Sequence, residues 1–103
     1  MIPKKLYKKR LPTKAKRGKF SDKTIEDILE RDNGLCVICH KVAVDIHHIK
    51  FKSQNGRGVF TNGVSLCRDC HALAHSKSEV NQSLVDIAVS MYGGNYYKDK
   101  YDN

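Results

Sequence analysis

The sequence of 103 residues predicts one small α+β domain with flanking helices and a basic N-terminal arm. The length allows a single core, since domains typically occupy about 100–200 residues. A hydrophobic content of 40% with 29% charged residues excludes a disordered chain, and no apolar run approaches the roughly 18–20 residues that cross a bilayer. The first ten residues are basic but no apolar segment follows them, so we expect a reducing, cytoplasmic location.

The positive charge is concentrated at the start of the sequence. Nine of the 19 Lys and Arg residues lie in residues 1–20, which contain no Asp or Glu, while the remainder of the chain is close to neutral. We therefore predict a basic, flexible arm over residues 1–19 that binds a polyanion. A merely solubilising tail is the alternative. Nucleic acid is favoured over a membrane surface because Pro3 and Pro12 interrupt any helix and the arm has no apolar face.

Four cysteines form two CxxC pairs, Cys36 with Cys39 and Cys67 with Cys70, separated by 27 residues. In a chain without an export signal, two such pairs indicate one structural zinc ion with four thiolate ligands rather than disulfides. A redox-active CxxC is the alternative, but it does not explain the duplication. Without the arm only about 80 residues remain, a size at which one core is marginally stable. We therefore expect zinc to be required for folding.

Local patterns place the elements of the body. Ser21 is an N-cap in front of a helix that ends at Asn33 and Gly34. Short strands are predicted at Val42–Ile46 and Gly63–Leu66, on either side of a loop rich in Gly and Asn. The last predicted helix has an apolar face formed by Val80, Leu84, Ile87, Ala88 and Met91.

These elements define the expected domain boundaries. The domain itself spans residues 20–93. Its parts are cysteine knuckles at 36–39 and 67–70, a strand–strand–helix core at about 42–76 with a helix at 71–75, and a C-terminal helix at about 78–91. Residues 94–103 are predicted to form a tail.

Four of the five histidines lie close in sequence to the cysteines. His71 and His75 are four residues apart on a predicted helix, so both project from one face and can bind one ion. His47 and His48 come from the strand before the loop, and the four together indicate a second metal site. Because adjacent residues of a regular strand face opposite sides, we predict that the strand stops near Ile46 or is distorted at the histidine pair.

Five further residues each allow two interpretations. Asp45 either orients an imidazole or is a plain surface acid. His40 either supports the zinc site or has no role. Lys50, Lys52 and Arg57 either contact phosphates or are solvated charges.

The resemblance to a known family is carried by three segments: Cys36-x-x-Cys39, Asp45-Ile-His47-His48-Ile49, and Asn62-Gly-Val-Ser-Leu-Cys67-x-x-Cys70-His71-x-x-x-His75. Together they resemble the HNH endonucleases, which have the ββα-metal (His-Me finger) fold. The resemblance covers about residues 20–76. The chain is similar in size and layout to bacterial and phage members of the family, including small phage HNH proteins that sit beside the DNA-packaging terminase.

The resemblance implies a role for each motif residue. His48 would be the general base that takes a proton from the attacking water. His47 and His71 would be ligands of a catalytic divalent ion, and His75 matches an extra histidine that only some members have. The side-chain amide of Asn62 would fix the loop so that His48 points correctly.

The function implied is a metal-dependent DNA endonuclease acting on double-stranded DNA. One site per chain would nick with low sequence specificity, and the phage resemblance suggests DNA processing or packaging in a bacterial host cell, with a terminase as partner. Besides structural Zn²⁺, the catalytic ion would be Mg²⁺, Mn²⁺, Ni²⁺, Co²⁺ or Zn²⁺; histidine ligands favour the softer ions over Mg²⁺. The alternative is a catalytically silent, zinc-stabilised nucleic-acid-binding module.

Overall fold

A computed structural model describes residues 11–102 of the chain. It contains helices α1 (Lys14–Gly18), α2 (Asp22–Arg31), α3 (Arg68–Ser76) and α4 (Ser78–Tyr92), strands β1 (Asp45–His48) and β2 (Gly63–Leu66), and 3₁₀ turns at Lys52–Gln54 and Phe60–Asn62. The predicted α+β class is confirmed. Within the described residues, no helix combines the length and the apolar character that crossing a bilayer requires.

Helix α2 begins as predicted at Ser21, whose hydroxyl accepts a hydrogen bond at 3.1 Å from the backbone N–H three residues later. It is followed by Asn33 and Gly34, which have φ angles of 57° and 68°. Its buried residue Ile28 packs on the start of β2. A Cβ at Gly63 would lie only 2.4 Å from the Ile28 Cδ1 atom, so this close approach requires glycine.

Strands β1 and β2 form an antiparallel hairpin with Asp45 opposite Leu66. The second strand lies where the sequence predicts it, but the first was predicted at Val42–Ile46 and starts three residues later. The reason is local: Val42 forms an isolated bridge with Leu35 that closes the first cysteine turn. Val42 and Ala43 therefore pair back to that turn, and the hydrogen bonds to β2 begin at the N–H of Val44.

The two C-terminal helices pack on the hairpin and on each other. Cys67 is the N-cap of α3, which begins earlier than predicted for that reason. In α4 the buried residues are Leu84 and Ala88, whereas Ile87 and Met91 of the predicted apolar face are exposed, so that part of the prediction is wrong. The main core joins hairpin, helices and cysteine turns through Cys36, Ile49, Leu66, Cys67, Cys70, Ala74, Leu84, Ala88 and Tyr96.

The described parts of the two segments predicted to flank the domain, residues 11–19 of 1–19 and 94–102 of 94–103, contact each other. The first ten residues of the predicted arm lie outside the described residues. The following part contains α1, where the Arg17 guanidinium lies 2.7 Å from Asp99 and 2.9 Å from Asp102. These ion pairs attach α1 to the tail segment.

Candidate active site and metal clusters

Four cysteine side chains meet beside the hairpin and are called here the sulfur cluster (Cys36, Cys39, Cys67 and Cys70). Their sulfur atoms all lie within 4.8 Å of one another, and no disulfide joins them. Four sulfurs around a zinc ion, each about 2.3 Å from it, are about 3.8 Å apart in a tetrahedron. The sulfur cluster therefore fits a structural metal such as zinc.

Each pair of sulfur ligands is placed by its own short turn. In the first, the Cys36 N–H donates to the Lys41 carbonyl at 2.7 Å, and the His40 N–H donates to the Cys36 carbonyl at 2.9 Å. His40 is exposed and occupies the left-handed position of this turn, with φ 67°. In the second, the Cys67 sulfur accepts from the Cys70 N–H at 3.4 Å and caps α3.

The chain favours ionisation at one thiol and opposes it at another. Burial raises the pKa of Cys36, but backbone N–H groups that donate to its sulfur outweigh burial and lower the pKa to about 6. Burial raises the pKa of Cys70 well above its usual range. A cation is therefore needed for these thiolates to exist together near neutral pH, and its binding would release protons.

Three imidazoles meet nearby and are called the histidine cluster (His47, His71 and His75). His47 comes from β1, while His71 and His75 lie one turn apart on α3, as the spacing predicts. Their ring centroids are 5.0–5.2 Å apart. One potential ligand atom from each lies within 4.8 Å of the other two, so these three residues could hold a metal ion.

His47 is oriented by Asn81 of α4. The Asn81 amide nitrogen donates to the Ile49 carbonyl at 3.0 Å, so its oxygen, 2.7 Å from His47 Nε2, is the acceptor. The proton of the neutral ring is therefore on Nε2. Nδ1 is buried, and no hydrogen-bond partner for it is found among the described residues. Nδ1 is therefore the atom that His47 can offer to a cation. Burial lowers the pKa of His47 to about 4, so the ring stays neutral at pH 7 and this nitrogen keeps its lone pair.

The other two rings also have defined neighbours. His71 Nδ1 lies 3.1 Å from a carboxylate oxygen of Asp45, which leaves His71 Nε2 for a ligand. The reading of Asp45 as the acid that orients an imidazole is thus the one the structure supports. His75 stacks on Phe51, with centroids 4.9 Å apart, and Phe51 also meets the edge of His47.

His48 lies beside the histidine cluster but is held by different groups. Its ring stacks on Phe20, with centroids 4.1 Å apart, and its Nε2 lies 2.5 Å from the Gly18 carbonyl oxygen. A carbonyl only accepts, so Nε2 carries the proton and Nδ1 has a free lone pair. Burial lowers the pKa of His48 below its ordinary value, with a smaller opposing effect of the Gly18 hydrogen bond.

The prediction that the strand stops near Ile46 or is distorted at the histidine pair is wrong, because β1 pairs regularly through His48. His47 and His48 do take different environments, as strand alternation requires. Both can nevertheless face one cavity, since β1 is paired on one edge only and ends at His48, and two-stranded ribbons are strongly twisted. The cavity of about 390 Å³ is lined by Ile46, His47, His48, Phe51, Lys52, Ser53, His71 and His75.

Asn62 fastens the loop between the strands. It is fully buried. Its side-chain oxygen accepts from the Lys50 N–H at 2.8 Å, and its amide nitrogen donates to the carbonyls of Lys50 and Arg57 at 3.1 and 3.0 Å. One side chain thus joins the two sides of the loop that follows His48.

A comparison with protein-family models matches the part of the chain that contains these residues. Residues 36–77 match the family model of the HNH endonucleases. This segment of the chain is therefore similar to an HNH domain. Both metal clusters lie inside the matched segment, as do Asn62 and His48. HNH domains generally belong to endonucleases and act on nucleic acid. No curated protein matches this sequence significantly.

Three residues that hold the histidines lie outside the HNH match and were not predicted as site residues: Gly18, Phe20 and Asn81. Asn81 had a detectable signal, because a polar residue three positions before Leu84 lies on the buried face of α4. Gly18 acts through its backbone carbonyl, which side-chain chemistry cannot reveal. Phe20 directly precedes the Ser21 cap, where an apolar residue is common and does not indicate a contact with His48.

The three cationic residues in the loop between β1 and β2 have different surroundings. Arg57 is only 7% exposed and forms an ion pair at 3.1 Å with Asp102, so both readings offered by the sequence, phosphate contact and solvated charge, are wrong for it. Lys50 is half-buried, with its ammonium 5.1 Å from the Tyr97 ring centroid. Lys52 is exposed and lines the cavity.

Proposed function

We propose that this HNH protein is a metal-dependent DNA endonuclease that hydrolyses phosphodiester bonds, with His48 as the general base. The observation that carries the proposal is the cavity itself. One wall presents the three rings of the histidine cluster, and the adjoining wall presents His48. A module that only binds nucleic acid has no need for a neutral imidazole beside a metal-binding cluster.

The hydrogen bond of His48 suits it to accept a proton. Its Nε2–H donates to the Gly18 carbonyl, so Nδ1 is free to take a proton from a water molecule. The same carbonyl would stabilise the imidazolium that results, since its oxygen is a hydrogen-bond acceptor. Burial lowers the pKa of His48, which keeps the ring neutral and able to act as a base at pH 7.

His47, His71 and His75 would hold the divalent cation of this site. When bound, the cation supplies charge neutralisation for the phosphoryl oxygens and for the leaving 3′ oxygen. A set of imidazole ligands suits Mn²⁺, Co²⁺, Ni²⁺ or Zn²⁺ better than Mg²⁺, which prefers oxygen ligands. Asp45 and Asn81 orient two of the three rings for this purpose.

Double-stranded DNA is the proposed substrate because exposed lysines lie beside the cavity and on α1. Lys52 lines the cavity, and Lys14, Lys16 and Lys19 are exposed in the first described helix and its end. Lysines that bind phosphates do not read bases, so we expect low sequence specificity. One site per chain would nick one strand.

The proposed setting follows from the resemblance in size and layout to small phage HNH proteins. We infer a role in phage DNA processing or packaging within the cytoplasm of a bacterial host. A terminase is the proposed protein partner.

Nicking of supercoiled plasmid in the presence of Mn²⁺, Mg²⁺, Co²⁺ or Ni²⁺ tests the proposal. We expect the wild type to nick and His48→Ala to lose activity by about 10²–10⁴-fold, the contribution of a positioned general base. The matched control is His40→Asn, which removes an exposed histidine that does not line the cavity and places at φ 67° a residue that tolerates this conformation.

Zinc content and a thermal transition establish that each variant is folded. Equal nicking by wild type and His48→Ala would remove His48 from catalysis. A wild type that shifts DNA in a gel but cuts it with none of these ions would favour the binding module.

A further inference from the structure

The contact that fixes His48 comes from a helix that cannot be stable alone. Gly18, whose carbonyl accepts from His48, is the last residue of α1. This helix has five residues, and isolated helices shorter than about 12–15 residues are marginal in water. The position of the Gly18 carbonyl therefore depends on whatever holds α1 in place.

The residue before Gly18 is held by both its side chain and its backbone. Arg17 donates from Nε and Nη2 to the two carboxylate oxygens of Asp99, at 2.8 and 2.7 Å, and also from Nη2 to Asp102 at 2.9 Å. Its own carbonyl accepts from the Gly58 N–H at 2.8 Å. Paired, two-point contacts between guanidinium and carboxylate fix direction as well as distance.

The same carboxylates are fastened to the loop of the hairpin. Asp102 accepts from Arg57 Nε and Nη2, both at 3.1 Å. The Arg57 N–H donates to the Tyr97 carbonyl at 3.0 Å, and the Arg57 carbonyl accepts from Asn62. We call Arg17, Arg57, Asp99 and Asp102 the clamp. The clamp has two positive and two negative charges and is largely buried. Removing one member would leave the charge of another without its partner, which costs free energy of folding.

Close backbone packing leaves α1 little room against this loop. A Cβ at Gly58 would lie 2.2 Å from the Lys19 carbonyl oxygen, so the loop meets the chain directly after α1 at backbone distance. Phe20, one residue further, stacks on the His48 ring. The segment from 17 to 20 thus has the clamp at one end and His48 at the other.

We propose that the tail segment positions the general base: Asp99 and Asp102 hold Arg17, and through it the Gly18 carbonyl that fixes the proton of His48 on Nε2. The predicted effect on rate rests on the proposed endonuclease function, whereas the predicted effect on the His48 hydrogen bond does not. Asp99, Asp102 and Arg17 are positioning residues. Release of the clamp frees α1, and His48 then loses its acceptor while the histidine cluster keeps its ligands.

The test compares wild type with Asp99→Asn, Arg17→Gln and the double variant in the full chain. The matched control is Asp27→Asn, which breaks an exposed ion pair with Lys23 on α2. The first readout is the proton on His48 Nε2, observed by NMR in the zinc-loaded protein. It should be visible and slow to exchange in wild type and Asp27→Asn, and lost in the clamp variants.

The second readout is plasmid nicking. We expect kcat of the clamp variants to fall by about ten- to a hundredfold, a part of the roughly 10²–10⁴-fold that a positioned base contributes. KM for plasmid and the affinity of the histidine cluster for Co²⁺ should stay within about twofold. The double variant should be no worse than Arg17→Gln alone, because Asp99 acts on α1 through Arg17.

Clamp variants that retain a slowly exchanging Nε2 proton and wild-type kcat would overturn the inference. If the wild type cuts no DNA, the endonuclease proposal fails while the NMR comparison still decides whether the clamp holds His48. If Arg17→Gln fails to fold, Arg17→Lys keeps the charge without the two-point contact and should show the same loss of the proton signal.

Discussion

The sulfur cluster and the histidine cluster are both built on the hairpin and α3, but they differ in what supports them. Each pair of cysteines is placed by a turn of a few residues, closed by its own backbone hydrogen bonds. The histidines come from different elements and need partners from elsewhere: Asp45 for His71 and, more than 30 residues away in sequence, Asn81 for His47.

This difference indicates the direction of dependence. The sulfur cluster joins the start of the hairpin to the start of α3, so a metal held there assembles the fold. The histidine cluster takes its geometry from that fold once α4 has packed. Loss of the first should therefore unfold the domain, and loss of the second should leave a folded protein with an altered site.

Cys67→Ser should have the largest effect. A structural zinc site contributes apparent binding energy of roughly 10–16 kcal/mol, comparable with the roughly 5–15 kcal/mol by which domains are stable. We expect the variant to lose both its bound zinc and its cooperative thermal transition, measured by metal analysis and circular dichroism. A variant that stayed folded and zinc-loaded would show that the sulfur cluster is not what assembles the domain.

His71→Ala should abolish function with little effect on folding. The His71 side chain is partly exposed and its pair with Asp45 is partly solvated, so the free energy of unfolding should change by about 1 kcal/mol or less. A second equivalent of Co²⁺, titrated into zinc-loaded protein, should no longer bind, and nicking should be lost. Retention of that second equivalent would exclude His71 as a ligand.

Asn81→Ala should weaken the second site without removing a ligand. His47 would lose the acceptor that fixes its proton, and we expect Co²⁺ affinity to fall by about 10–100-fold, as for other residues that orient ligands. The unpaired Ile49 carbonyl and His47 nitrogen should cost about 1–3 kcal/mol of stability. Gln82→Ala is the control on the same helix, since Gln82 is exposed and bonds only to the neighbouring Asp86 among the contacts of the described residues. Equal Co²⁺ affinity in both variants would contradict the role of Asn81.

Asp102→Asn should lower stability by an amount that does not change with pH near neutrality. Hydrogen bonds from Arg57 hold the pKa of Asp102 well below its usual range, so its stabilising contribution is complete above about pH 4 and is lost only as the pH falls through the lower folded value. The difference in Tm between wild type and variant should therefore be constant from pH 8 to pH 5. A difference that shrinks within that window would mean that the clamp titrates near neutrality.

The sequence was sufficient for the parts that depend on local spacing. Two CxxC pairs and histidines four apart place ligands by the geometry of one turn, and the structure brings both sets together. The Ser21 cap and the second strand were equally local. The start of β1 was predicted too early because the bridge of Val42 with Leu35 belongs to the cysteine turn.

The supports of the histidines depend on packing and could not be obtained in the same way. Which face of α4 meets α3 decided that Asn81 is near His47 and that Ile87 and Met91 are exposed. The Gly18 contact is made by a backbone carbonyl, which every residue type carries, so no side-chain pattern indicates it. Arg57 is a cationic loop residue, as many phosphate-binding residues are. Only the packing of the tail segment shows that its guanidinium forms an ion pair with Asp102.

The placement of Gly18 and Asn81 on either side of the HNH match has a consequence for transplanting this domain. A chimera that received residues 36–77 alone would inherit every metal-ligand candidate, yet neither of the two neighbours that set the tautomers of His47 and His48. The recipient would have to supply an acceptor at each ring. Transfer of this site to another protein therefore depends on its flanking helices as well as on its motif.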